Sequence, residues 1–239
     1  MILATSRPYF APFPGFFARA ALADIFVILD TVQFPRGSTW ISRNRFKGPG
    51  GPVWVTVPVW KKGLGLQRIR DVRICHEGPW ARKLMDTLWH GYKNAPWFHE
   101  HMAVWEQALK EPLDRLVDLD LALIRHLMNA LEIKTPIVLL SELGIEATGH
   151  ALLLEICRRL GESVYLAQDA ARAYLRPELF QDAGLELRFM RQPSPVYPQL
   201  WGEFAGNLSA FDLVFNCGPK SGEYLSNEDC ARPSPRSNH

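Results

Sequence analysis

The sequence predicts an α/β fold: a mostly parallel, Rossmann-like sheet with a helical insertion or subdomain. Three observations lead there. Short apolar runs at Ile2 to Thr5, Ile25 to Leu29, Pro136 to Leu140, Ser163 to Leu166 and Leu185 to Phe189 alternate with helix-like segments, the order that lays parallel strands together under helices. Ile25-Phe26-Val27-Ile28-Leu29 is unbroken, as in a strand buried on both faces. From residue 79 to 133 the apolar spacing changes to that of helices. The 239 residues are enough for one large core. The expected organisation is a single α/β domain over 1–226, a helical insertion over 79–133 within it, and a mobile tail over 227–239 with two prolines and few apolar groups.

Taken in order, Ile2 to Thr5 reads as a first strand. It meets the turn cluster Pro8, Pro12, Pro14 and Gly15, and the small, apolar run Phe16 to Ala23 follows as a short helix. Pro35 to Gly51 reads as a polar, basic loop, Val53 to Val59 as another sheet strand, and Ile69 to Ile74 as a strand at the sheet edge. Helical faces are set by Trp80, Leu84 and Leu88, by Met102, Trp105 and Leu109, and by Leu116, Leu119, Leu123 and Leu127, punctuated by Pro96 and Pro112. His150 to Leu160 reads as a helix capped by Gly161. Pro177 to Asp182 is a helical turn. After Pro193 the chain is irregular, and Ala210 to Phe215 is a short apolar helix.

Composition excludes several classes. Hydrophobic residues are 47% and charged residues 22%, the usage of a globular chain rather than a disordered one. Lys and Arg total 27 against 25 Asp and Glu, so a net charge of +2 makes no general case for nucleic acid or an anionic membrane, and any basic site must be local. No apolar stretch approaches the roughly 20 residues of a membrane span, and the start lacks the apolar run of a secretory signal; a cytoplasmic protein is expected. Cys75, Cys157, Cys217 and Cys230 have no C-x-x-C spacing, which argues against structural zinc and a disulfide scaffold. His99 and His101 point to different helix faces and make no metal motif, while His90 and His126 are expected to pack. No P-loop, dinucleotide or nucleophile-elbow run occurs.

Polar groups at predicted strand ends are the candidate site, because ligands of open parallel sheets collect at the carboxyl ends of strands. Asp30 ends the second strand and Gln33 follows it, although an Asp there also forms turns. Arg43, Asn44, Arg45 and Lys47 offer charged donors for phosphate or carboxylate, or form a solvated loop. Ser141-Glu142 lies beyond another strand, where the carboxylate serves as a general base or as a helix cap. Tyr165, Asp169 and Tyr174 surround a further strand end. The first turn, with Arg7 and Tyr9, leads into Phe13-Pro14-Gly15-Phe16, placed like the His-x-Gly-His motif of nucleotidylyltransferases but lacking both histidines.

Taken together, Pro8-Tyr9-Phe10-x-Pro12-x-x-Gly15-Phe16-Phe17, Ala23-Asp24-x-Phe26-Val27-x-Leu29-Asp30-x-Val32-Gln33-Phe34 and Arg43-Asn44-Arg45-x-Lys47 resemble the WbqC-like proteins of bacterial polysaccharide gene clusters. Later segments agree, among them Tyr92-Lys93-x-Ala95-Pro96-Trp97-Phe98, Tyr165-Leu166 and Tyr197-Pro198-Gln199-x-x-Gly202-x-Phe204, and the resemblance runs to Gly218. Three departures stand at strand ends: Arg7 where the family usually has Gln, Thr31 where a second Asp commonly follows the first, and Ala167-Gln168 where Ser-Gly is usual. The resemblance implies a role in polysaccharide or secondary-metabolite biosynthesis. The expected activity is a metal-independent transferase, without cofactor, moving a small acyl or aminoacyl group to an amine on an activated sugar or carrier-bound intermediate. Asp30 or Glu142 would be the base, and Arg7, Tyr9, Gln33, Arg43, Asn44, Arg45, Tyr165 and Asp169 would bind substrate. Expected partners are a small-molecule or carrier-bound substrate and pathway enzymes or an acyl carrier protein, with neither nucleic acid nor membrane. The alternatives are a non-catalytic binding or pathway-assembly protein and a nucleotidylyltransferase-like nucleotide-binding protein.

Overall fold

The computed structural model describes residues 1–110, 113–192 and 194–225. The tail expected over 227–239, with Cys230, and the breakpoints at Pro112 and Pro193 lie outside the described residues. Five strands, β1 (Ile2–Ser6), β2 (Ile25–Ile28), β5 (Ile137–Leu139), β6 (Val164–Gln168) and β7 (Glu186–Met190), form one sheet in the order β5-β2-β1-β6-β7. Every pair in it is parallel. The chain builds outward from β1 to β2 and β5, then returns to the other side of β1 for β6 and β7, the doubly wound order whose switch point lies between β1 and β6.

Because side chains alternate along a strand, the central strands feed two cores. Ala4, Phe26, Ile28 and Leu166 join one core with helix α1 (Pro14–Ala21) and helices α2 (Trp80–Tyr92), α3 (Phe98–Lys110), α4 (Leu116–Ala130) and α8 (Ala210–Cys217). Leu3, Val27, Tyr165 and Ala167 join the other with helices α6 (Gly149–Leu160) and α7 (Pro177–Asp182). Pro14 sits in the first turn of α1, where its fixed φ suits the helix and its missing N–H is no loss. At the end of α6, Gly161 takes φ 69° and the Glu162 N–H reaches back to the Cys157 carbonyl, as the spacing predicts. Among the described residues no helix is long and apolar enough to cross a membrane.

Four expectations are corrected. Val55 belongs not to the main sheet but to an antiparallel ribbon of β3 (Arg43–Gly48) and β4 (Gly51–Thr56). The basic loop is thus partly a strand: Asn44 and Phe46 are fully buried on one side while Arg43 and Arg45 are half-buried on the other, so period-two burial hides under a charged composition. Ile69 to Ile74 is a 3-10 turn (Ile69–Asp71) flanked by isolated bridges at Arg68 and Ile74 rather than an edge strand. His90 is exposed and does not pack.

The ribbon is fastened tightly to α2. At Gly91 a β-carbon would stand 2.5 Å from the Lys47 carbonyl oxygen, so only glycine permits this approach. His126 of α4 does pack, stacked on Phe211 with ring planes 10° apart, and its Nε2 lies 3.1 Å from Nδ1 of His101 on α3. Burial pushes both imidazoles down, that of His126 to about 4, with the His101 charge adding to it. Below roughly pH 6.5 the unfolded chain therefore takes up protons that the folded protein refuses. Stability is full above that pH and falls as the pH drops toward 4, by at most about 1.4 kcal/mol per pH unit for each histidine. Urea unfolding at pH 7, 6, 5 and 4.5 is expected to show this decline, and His126→Gln to flatten it; identical slopes in the two proteins would exclude the pair as its source.

Candidate functional site

Two adjoining cavities open at the carboxyl ends of the sheet strands. The first, about 570 Å³, lies beyond β2 and β5, between Thr31, Val32 and Gln33 on one side and Leu140 and Ser141 on the other, with Arg68 and Arg70 forming a further wall. The second, about 490 Å³, lies at the switch point, between Thr5, Ser6 and Arg7 after β1 and Tyr165, Ala167 and Gln168 of β6. Arg7, Gly149 and Leu152 line both. The cavities therefore meet at the start of α6, whose N-cap Thr148 makes no side-chain cap and whose first turn holds no acidic residue. Unpaired N–H groups at such a helix start favour anions. The side chains add to this field, since Arg7, Arg19, Arg68 and Arg70 line the pair of cavities against one carboxylate, Glu146. The local basic site that the net charge could not reveal is here.

Of the expected site residues, Arg7, Gln33, Tyr9 and Tyr165 line the cavities. Arg7 is exposed and Tyr9 packs beside Phe13 and Phe16. The Tyr165 hydroxyl bonds the Thr5 hydroxyl at 2.8 Å, and burial pushes the phenol up to about 12, so it stays protonated. Asp30 is 3% exposed and lines neither cavity, but its chain neighbour Thr31 and its partner Ser141 line the first; its Oδ1 accepts the Ser141 N–H at 2.9 Å. This bond ties the end of β2 to α5 (Leu140–Leu143), the turn that follows β5. Glu142 is exposed; its Oε2 accepts the Leu139 N–H at 2.9 Å, so it caps α5, and it lines neither cavity. Asp169 also stands outside them, bound to Arg172 at 2.5 Å.

The arginine-rich segment is drawn elsewhere. The Arg43 guanidinium lies 3.6 Å from the Trp54 ring centre, a stacked cation–π contact. Arg45 donates through Nη2 to the carbonyls of Gly206 and Asn207. Asn44 donates to the carbonyls of Phe10 and Ala11 and accepts the Arg45 N–H, which uses its amide for holding the first loop. All three line neither cavity, because β3 pairs into the ribbon and not into the sheet. The start of α1 is closed as well: a β-carbon on Gly15 would meet Gln192 and Phe13 at 3.1 Å, leaving no cradle for a phosphate.

Sequence reasoning missed Arg19, Arg68, Arg70 and His150. Arg19 is the strongest omission, a charge carried inside the otherwise small, apolar run Phe16 to Ala23. His150 accepts the Arg176 N–H at Nε2, 3.2 Å, which leaves the proton on Nδ1 in the neutral ring. The three departures from the family pattern do line the cavities: Arg7 both, Thr31 the first, Ala167 and Gln168 the second. Among the described residues no group of three or more His, Cys, Asp or Glu side chains is placed to hold a metal ion.

The WbqC-like protein family model matches residues 7–224. A curated relative, "Uncharacterized protein Rv1507c" of Mycobacterium tuberculosis (strain ATCC 25618 / H37Rv), is 30% identical over 220 residues, covering 90% of this chain and 94% of the relative. No solved structure matches.

Proposed function

Since this chain belongs to the WbqC-like protein family, we propose that it is a biosynthetic transferase, moving a small acyl or aminoacyl group to an amine on an activated sugar or carrier-bound intermediate. The observation that carries this reading is the pair of cavities meeting at Arg7 and the start of α6, which gives donor and acceptor separate space around one shared point. The positive lining suits the anionic part of such substrates. In the transfer, the amine nitrogen forms a bond to the donor carbonyl carbon, the bond from that carbon to its activating group breaks, and the amine's proton passes to a carboxylate. Asp30 serves this last role better than Glu142. Its Oδ1 is held by Ser141 while the other oxygen accepts no hydrogen bond among the described residues, and Ser141 itself lines the first cavity.

A non-catalytic role in pathway assembly is favoured by a different feature, the exposed tryptophans Trp40, Trp54 and Trp60, of which Trp40 and Trp54 are in ring contact at 5.2 Å. Incubating the purified protein with aminoacyl and acyl donors, nucleotide-linked amino sugars and an acyl carrier protein, with mass spectrometry of the products, separates the two readings. An amide product whose formation needs this protein is expected. Saturable donor binding with no product from any pairing would leave only the assembly role.

A further inference from the structure

Arg19 is out of place in its surroundings. It sits in the last turn of α1, 5% exposed, and among the described residues its side chain makes no hydrogen bond and no ion pair. Its Nε is buried without a partner. Its guanidinium carbon lies 5.9 Å from the centre of the Phe26 ring. Burial pushes the guanidinium's pKa down, yet arginine starts so far above neutrality that it keeps its charge. A buried, uncompensated charge is costly, and an anion supplied by a ligand would offset that cost.

The place where that anion would sit is defined by the cavity at the switch point. Arg19 lines it, and no Asp or Glu does. Tyr9, Tyr165 and Tyr174 line the cavity with it, and Thr5 holds Tyr165 in place. Leu29, Leu153 and Leu175 line the same cavity. The cavity thus combines a fixed fork of donors with apolar side chains. We propose that this cavity binds a small organic acid, with Arg19 pairing to its oxyanion, a carboxylate or a phosphoryl group, and Leu29, Leu153 and Leu175 packing on its apolar body. Arg7, exposed at the mouth shared by both cavities, adds a second positive charge at the point of entry.

The inference rests on reading this cleft as the substrate site, but it concerns capture of the anion and needs no transfer to occur. Three probes with one body test it: benzoate, phenyl phosphate and neutral benzamide, titrated into the full chain and followed by nuclear magnetic resonance. At least one of the two anions is expected to bind, at least tenfold more tightly than benzamide, and the better of the two identifies the head group. Arg19→Met should weaken that anion at least tenfold, while Arg19→Lys retains part of the affinity. A purely structural arginine would behave differently in the empty protein. Removing an unpartnered buried charge should leave the melting temperature of Arg19→Met unchanged or raised, whereas a structural role requires it to fall. A lowered melting temperature or a failure of Arg19→Met to fold, equal affinity for benzamide and both anions, or undiminished anion binding by Arg19→Met would overturn the proposal. Arg19-dependent binding without any transfer product would sink the transferase reading alone; product formation with an unchanged KM in Arg19→Met would sink this inference alone.

Discussion

Asp30→Asn is expected to lower turnover by about a hundredfold to ten-thousandfold, the range a positioned general base contributes, while donor binding stays nearly unchanged. The substitution is chosen because it separates chemistry from structure. An asparagine oxygen can accept the Ser141 N–H at the distance that Oδ1 does now, 2.9 Å, so the junction of β2 and α5 survives. What is lost is the capacity to take a proton from the attacking amine, whose ammonium form has no lone pair to offer. Glu142→Gln is the matched control. Its carboxylate caps the Leu139 N–H and is exposed to solvent, so the amide is expected to leave turnover within a few fold. Single-turnover rates and donor titrations of both variants measure the difference. Equal turnover in Asp30→Asn and the unaltered protein would remove Asp30 as the base, and a loss confined to Glu142→Gln would transfer the role to it.

The strands of the sheet were legible because burial on both faces writes itself as an unbroken apolar run, as in Ile25 to Leu29, and the helices because Leu116, Leu119, Leu123 and Leu127 repeat at one spacing. Strand ends followed, and with them Arg7, Gln33 and Tyr165. The ribbon did not follow. Its inward residues, Asn44 and Phe46, alternate with arginines, and a fully buried asparagine satisfied by two backbone carbonyls has the same letter as one in a loop. Arg43 and Arg45 therefore looked like free donors when their charges are spent on Trp54 and on the carbonyls of residues 206 and 207. Arg19 was concealed for the opposite reason, by apolar neighbours on its own helix. The composition of the cleft depends on β6 lying beside β1, a pairing between residues some 160 positions apart, as the contact of Thr5 with Tyr165 records. No local pattern announces a neighbour at that distance, and only the strand order brings these groups to one cavity.

The same separation of loop, ribbon and helix is bridged elsewhere by one carboxylate, and its removal is expected to be the most destabilising single change outside the apolar cores. Asp212 of α8 has no solvent exposure. Its Oδ1 accepts the Tyr92 hydroxyl at 2.7 Å, and its Oδ2 accepts the Tyr197 hydroxyl at 2.9 Å and the Gln199 amide at 2.8 Å. Burial pushes its pKa up, while these three donors and the nearby Lys47 charge pull the other way. Lys47 is itself 2% exposed and held by Gln199 and the Glu203 carbonyl. Asp212→Ala would strand two phenol hydroxyls and an amide without an acceptor and remove an opposite charge from the neighbourhood of the buried Lys47 ammonium. Breaking a buried charged network from one side costs about 3 to 5 kcal/mol, or roughly 6 to 20 °C in Tm for a chain of this size. Asp212→Asn keeps the shape and one acceptor oxygen but turns donors toward donors, so a smaller loss, about 1 to 3 kcal/mol, is expected. Urea unfolding and thermal melts of the two variants check the order. A loss below about 1 kcal/mol in Asp212→Ala would mean that apolar packing by Phe211 and Phe215, and not this carboxylate, holds α8 against α2 and α3.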